Sequence, residues 1–329
     1  MEYTTLGRSG LHVSRIGLGL AALGRPGYIN LGHAEDLQGD YDIKAMQGHT
    51  HRMLDLAWQH GVRYLDAARS YGKAEIFLGK WLLDRQKSER DAVVGSKWGY
   101  TYTADWQVEA EHHEVKEHSL PVFQQQWEES QMFLSQYLKL YQVHSATLDS
   151  GILSNVEVLN AMVEKKAAGM SLGLSLSGPQ QAETLRKAMQ VEVDGRPVFD
   201  TVQATWNLLE PSAGNILAEV NEAGMGVIIK EAVANGRLTD RNSDPAFREK
   251  KVYLLQMAEK YSVSLDTLAM AAVLSQPWVH VVLSGAATEA QLLSNLQALQ
   301  LNVEAEELLD ELAESPEVYW QTRKALVWN

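Results

Sequence analysis

Eight short runs of apolar and β-branched residues recur along this chain, separated by longer stretches of helical period. That alternation is the sequence form of repeated βα units wound around a parallel sheet. In order, the runs are Ser14 to Leu18, Val62 to Asp66, Ala92 to Lys97, Leu138 to His144, Ser171 to Ser175, Asp200 to Ala204, Gly226 to Lys230 and Val279 to Ser284. Helical stretches between them include Thr50 to His60, Ala74 to Arg85, Val122 to Tyr137, Ser154 to Ala168, Pro179 to Met189 and Ser212 to Ala223. At His60-Gly61 and Ala223-Gly224, glycine stands where a helix closes through a left-handed residue. Eight units predict a single α/β (β/α)8 TIM barrel, with residues 1–329 as one domain, since barrels of this type commonly run past about 250 residues. No Pro-, Gly- or Ser-rich linker divides the chain.

Two segments fall outside the repeat. Tyr3 to Leu6 and Leu11 to Ser14 flank the turn Gly7-Arg8-Ser9-Gly10 and predict a β-hairpin cap on the barrel floor. At the other end, Val303 to Leu312 reads as an acidic amphipathic helix, and a helical tail, Tyr319 to Asn329, carries Trp320 and Trp328. That tail either packs on the barrel exterior or folds over its mouth.

The formal charge is -13, from 29 basic and 42 acidic residues, so the average field repels polyanions and anionic lipid headgroups. Neither nucleic acid nor a membrane is an expected partner. The absence of cysteine excludes disulfides, thiolate nucleophiles and cysteine-ligated metal. No signal-type leader and no run of about 18 apolar residues occurs, so a cytoplasmic location is expected.

In a parallel barrel, reactive groups come from strand C-termini and the loops after them, because those ends share one open face. Asp66 ends the second run, Tyr71 follows in Ser70-Tyr71-Gly72, Lys97 ends the third run and His144 the fourth. Singly, each reads as packing or a surface ion pair; together they converge on one pocket.

The stretch LDAARSYGKAE, from Leu65 to Glu75, with the lysine after a Gly-Ser, the histidine closing the fourth run and the Gly-x-Ser of the fifth, resembles the aldo-keto reductase superfamily over nearly the whole chain. The resemblance implies NAD(P)H-dependent reduction of an aldehyde or ketone, or the reverse reaction. Hydride would come from nicotinamide C4 and the proton from Tyr71, with no metal. An ordinary tyrosine, with a pKa of about 10, donates poorly at neutral pH, so Lys97 is expected to acidify it, Asp66 to hold Lys97 charged, and His144 to orient the substrate oxygen.

The chain has no G-x-G-x-x-G after a strand. By resemblance, NADP(H) or NAD(H) would be held by Gly19, Asp66, Ser175, Gln203, Lys230, Glu231, Val233, Gly236, Leu238, Gly285, Gln291 and Asn295. Ser175 and Gln203 would meet the carboxamide, backbone amides near Gly236 the pyrophosphate, and the helix of Gln291 and Asn295 the adenosine. Three departures stand out. Leu176 replaces the asparagine usual after the serine. Lys230-Glu231 replaces a stacking tyrosine and serine. Ser284 to Leu296 carries no basic residue for a 2′-phosphate, which predicts only modest discrimination between NADPH and NADH.

His112, His113 and His118 cluster in an acidic loop, where solvation is a simpler reading than metal binding. The long loops Leu20 to Gln47 and Trp98 to His118 are expected to shape the pocket, and Trp98 and Trp206 either line it or pack in the core. Two other functions use the same frame. One is a Schiff-base aldolase built on Lys97, and the other a cofactor-sensing module resembling the β subunits of potassium channels.

Overall fold

The computed structural model describes residues 1–329. Eight parallel strands close into a barrel: β1 (Ile16–Gly19), β2 (Tyr64–Asp66), β3 (Val93–Trp98), β4 (Leu138–Ala146), β5 (Ser171–Leu176), β6 (Thr201–Thr205), β7 (Gly226–Lys230) and β8 (Val281–Ser284). The ring shuts where Val282, Leu283 and Ser284 of β8 pair with Ile16, Gly17 and Leu18 of β1. Helices cover the outside and side chains fill the inside, which is why the strands read as continuous apolar runs rather than alternating ones.

Ser14, expected in the first barrel strand, instead ends the N-terminal hairpin, in which Tyr3–Thr5 pairs antiparallel with His12–Ser14. Apolar periodicity could not separate the two because they are nearly contiguous. The hairpin turn lies under the start of β7: the Arg8 amide donates to the Gly224 carbonyl at 2.7 Å. Gly7 has φ +48°, and a Cβ there would stand 2.2 Å from the Gly226 nitrogen, so glycine is required. Leu6 and Val13 from the hairpin then join Tyr64, Val93, Leu140, Ile228, Val281 and Leu283 in a buried cluster that fills the barrel floor.

Above that floor, a Cβ on Gly17 or Gly95 would come within 2.7 or 2.5 Å of the Tyr64 side chain. Those glycines let an aromatic ring occupy the barrel interior.

The first long helix spans Ile43–Gln59, starting well before the expected Thr50, because the Asp42 carboxylate accepts from the amides of Lys44 and Ala45 at 2.9 and 3.0 Å. The loop after β3 holds a two-stranded ribbon, Tyr100–Tyr102 with Glu114–Lys116. Helices Arg248–Tyr261 and Leu265–Leu274 connect β7 to β8, and every residue of the second except Asp266 is buried. The acidic helix runs Ala305–Leu312 and is followed by Pro316–Lys324. No helix is long and apolar enough to cross a membrane.

Candidate active site

Asp66 is the last residue of β2, and its carboxylate is fully engaged. The Lys97 ammonium donates to one oxygen and also to the Ala67 carbonyl at 2.9 Å. Gln203 Nε2 donates to the other oxygen at 2.9 Å, and the Tyr64 hydroxyl reaches it at 3.3 Å. Lys97 is completely buried and Asp66 almost so, an ion pair whose desolvation is tolerable only because each partner meets the other and further hydrogen bonds.

Tyr71 sits on the turn after β2, its ring centroid 4.9 Å from Lys97 Nζ and 5.5 Å from the His144 ring, edge to face. Gly24 packs under this turn so closely that a Cβ would fall 2.3 Å from the Tyr71 carbonyl. Asp66, Tyr71, His144 and Gln203 all line one pocket, and Lys97 lies beneath it.

The electrostatics differ from expectation at Tyr71. Burial, and then the Asp66 carboxylate, push its phenol well above the ordinary 10, and the cation that opposes them is Arg25. The Lys97 ammonium, matched by Asp66, does not bring the phenol below its ordinary value. His144 is driven well below 6.5, first by burial and then by Lys97 and Lys230, so its imidazole is neutral at neutral pH. Its Nδ1 lies 3.4 Å from the Ser70 hydroxyl.

Of the residues expected around a dinucleotide, Gly19, Asp66, Gln203, Lys230, Glu231 and Gly285 line the pocket. Lys230 Nζ donates to the Thr205 hydroxyl at 2.7 Å, and burial lowers it to about 8. Burial alone would raise Glu231, but Arg323 and then Lys230 outweigh it and hold the carboxyl at about 2. The others lie outside that lining. Ser175 Oγ accepts from the Ser145 amide at 2.8 Å. Leu238 is fully buried, Val233 partly so, and Gly236 (φ +92°) packs against Leu31. Asn295 accepts from Ser284 Oγ at 2.7 Å and donates to Asp266 at 3.0 Å. At the start of helix Glu289–Gln297, expected to hold the adenosine, the Gln291 side chain accepts from the Ala287 and Thr288 amides at 2.9 and 3.2 Å.

The aldo/keto reductase family model matches residues 15–314. The chain belongs to the aldo/keto reductase family. It is accordingly an NAD(P)H-dependent oxidoreductase. It is 23% identical to Protein tas of Escherichia coli over 97% of this chain and 99% of that protein. A protein described as a voltage-gated potassium channel subunit beta, from Arabidopsis thaliana, is 22% identical over 92% of both. Among solved structures, a Bacillus halodurans aldo-keto reductase in its holo form superimposes with a TM-score of 0.71 at 21% identity, covering 96% of this chain and 97% of that one, a likeness of fold.

Several pocket residues of this reductase were not singled out in the sequence: Arg25, Tyr28, Tyr100, Glu114, Ser177 and Arg323. They come from loops, the ribbon after β3 and the last helix, far apart in the chain, and Arg25 is legible only as a lone charge among Gly24, Pro26 and Gly27. The C-terminal tail lies over the mouth. Trp328 stacks on His113 at 3.9 Å, and the Asn329 amide and carbonyl pair with Tyr28 at 3.1 Å each. His118, by contrast, bonds the His144 carbonyl, so the three loop histidines share no centre. Trp98 and Trp206 pack in the core.

The donor set fits a nicotinamide dinucleotide. The Gln203 amide and the Ser177 hydroxyl offer hydrogen-bonding partners at the pocket wall, Lys230 and Lys324 offer positive charge, and nothing lies within 4 Å of a Cβ built on Gly285.

Proposed function

We propose that this reductase converts an aldehyde or ketone to its alcohol, or the reverse, with Tyr71 as proton donor, Lys97 and Asp66 as its charged support and His144 orienting the carbonyl oxygen. The observation that carries it is the meeting of these four side chains at the end of one barrel pocket, two of them as a buried ion pair.

A phenol held above its usual pKa stays protonated through the neutral range, so Tyr71 is always loaded with the proton it gives to a forming alkoxide. As the proton leaves, negative charge grows on a ring beside the Lys97 ammonium, which is already fixed by Asp66 and the Ala67 carbonyl and needs no reorganisation. Lys97 acts late in this sequence. A neutral His144 carries one ring N–H, and donating it to the carbonyl oxygen holds that oxygen toward Tyr71. When bound, the nicotinamide supplies the hydride that the carbonyl carbon receives. Gly19, Gln203, Ser177, Lys230 and Gly285 would hold it, while the tail over the mouth excludes water.

Both cofactors are accepted with modest discrimination, because the Ser284 to Leu296 segment lacks a base and the nearby Arg241 is already clasped by Asp36. Schiff-base chemistry is disfavoured by the placement of Lys97 Nζ between two acceptors.

The test is absorbance of NADPH and NADH separately, with aromatic aldehydes, short aliphatic aldehydes, sugars and ketones, beside Tyr71→Phe. Oxidation in the wild type that drops by about 10²- to 10⁴-fold in the variant, with cofactor affinity kept, supports the reading. Wild-type turnover in Tyr71→Phe sinks the mechanism, and tight cofactor binding with no turnover on any carbonyl favours a sensing role.

A further inference from the structure

We propose that Arg25 selects carbonyl substrates that carry a carboxylate, so that this site reduces short oxo acids in preference to neutral aldehydes and ketones. The inference rests on the reductase reading and names its substrate class.

Arg25 is 3% exposed yet lines the pocket beside Tyr71. Its guanidinium lies 5.3 Å from the Tyr71 ring centroid, 5.1 Å from that of Tyr28 and 4.7 Å from that of Trp328. Three aromatic rings from three separate segments therefore fix one cation in place before any substrate arrives. The ordering that a flexible surface arginine would undergo on binding is already complete.

A guanidinium kept only for architecture would have its donors consumed. Here Nη1 alone is used, by the Ser70 carbonyl and by Glu114, each at 3.0 Å, while Nε is buried with no partner. A buried donor left unpaired is costly, and a carboxylate is the group whose two oxygens match a guanidinium edge. Because the Ser70 carbonyl that Arg25 holds is one residue from Tyr71, a carboxylate on Arg25 and a carbonyl on Tyr71 belong to one short molecule.

The charge balance agrees. Asp66 is neutralised by Lys97, and Glu231 by Arg323. Arg25, Lys230 and Lys324 then face only Glu114 in the pocket lining, a local positive excess in a chain whose net charge is -13. Glu114 is one-quarter exposed where Arg25 is buried, so water screens the carboxylate more than the guanidinium. The substrate carboxylate is unchanged by the reaction: the carbonyl carbon gains the hydride, its oxygen gains the Tyr71 proton, and the reduced nicotinamide is oxidised.

The experiment compares kcat/KM for short ω-oxo carboxylates with that for their methyl esters, in wild type, Arg25→Gln and Arg25→Lys. In wild type the acids exceed the esters by about 10- to 100-fold, chiefly through KM, as a charge-assisted hydrogen bond implies. The ratio falls to about one in Arg25→Gln and is partly kept in Arg25→Lys. Equal turnover of acids and esters by the wild type overturns this proposal, needs no folded variant, and leaves the reductase reading standing. An acid preference that persists in a folded Arg25→Gln overturns it as well. No reduction of any carbonyl overturns both.

Discussion

Arg323 grips Glu231 with two nitrogens, Nε lying 3.0 and 2.9 Å from the two carboxylate oxygens and Nη2 closing on one of them. This pair ties the last helix to the residue after β7, and so sets where the tail crosses the barrel mouth. Arg323→Met leaves Glu231 inside the pocket with only Lys230, the Thr205 and Tyr319 hydroxyls and no guanidinium. Removing one partner of a buried pair costs about 3–5 kcal/mol, and partial exposure of Arg323 places this case near the lower end. Urea denaturation should show that loss in the midpoint, with a higher substrate KM as the tail loosens. An unchanged midpoint would mean that the clasp holds nothing.

The same carboxylate gives stability an acid limb. Glu231 lies at about 2 in the folded chain against an ordinary 4.5, so between those values the unfolded chain binds the extra proton. Its contribution is complete above about pH 4.5 and disappears as pH falls toward 2. Burial lowers His118 to about 4 from 6.5, so there too the unfolded chain takes up protons first, and stability falls as pH drops from about 6.5 to 4. Melting temperature measured from pH 7 to 3 should decline from near pH 6.5 onward. The decline below about pH 4.5 should be shallower in Glu231→Gln than in wild type.

The barrel was legible because each strand is buried on both faces, and polar residues that end such runs, Asp66, Lys97 and His144, stand out against them. Their meeting at one face follows from parallel strand direction alone. What could not be read was tertiary convergence: Arg25, Tyr28 and Glu114 belong to two segments with no shared period, where only loop length hinted at a role, and the tail of Trp328 was legible only as packing outside or crossing the mouth. The direction of the Tyr71 shift is hidden for a related reason: burial and then the Asp66 carboxylate push the phenol up, and both are facts of packing.

That match makes the ion pair testable by a double-mutant cycle. Lys97→Met should cost about 3 kcal/mol or more, since the Asp66 carboxylate then keeps only Gln203 and Tyr64 as donors in a closed interior. Lys97→Met with Asp66→Asn removes both charges and should be more stable than Lys97→Met alone, although neither restores turnover. Chemical denaturation of the two single variants and the double decides it; strict additivity would show that the residues do not sense each other.

Cofactor choice is predicted to turn on Asp36, whose buried carboxylate accepts twice from the Arg241 guanidinium and twice from Gln291 Nε2, at 3.1 and 3.0 Å. Gln291 lies in the segment that resembles an adenosine site. A ribose diol there could donate to Asp36, whereas a 2′-phosphate would meet a carboxylate and find the nearest cation already paired. NADH should therefore bind at least as tightly as NADPH, with Kd values read from quenching of tryptophan fluorescence. Asp36→Asn removes the repelling charge and frees Arg241, and should move the NADPH-to-NADH affinity ratio about tenfold toward NADPH, about 1.4 kcal/mol. A wild-type preference for NADPH above about a hundredfold, roughly 2.8 kcal/mol on the same scale, would refute the assignment.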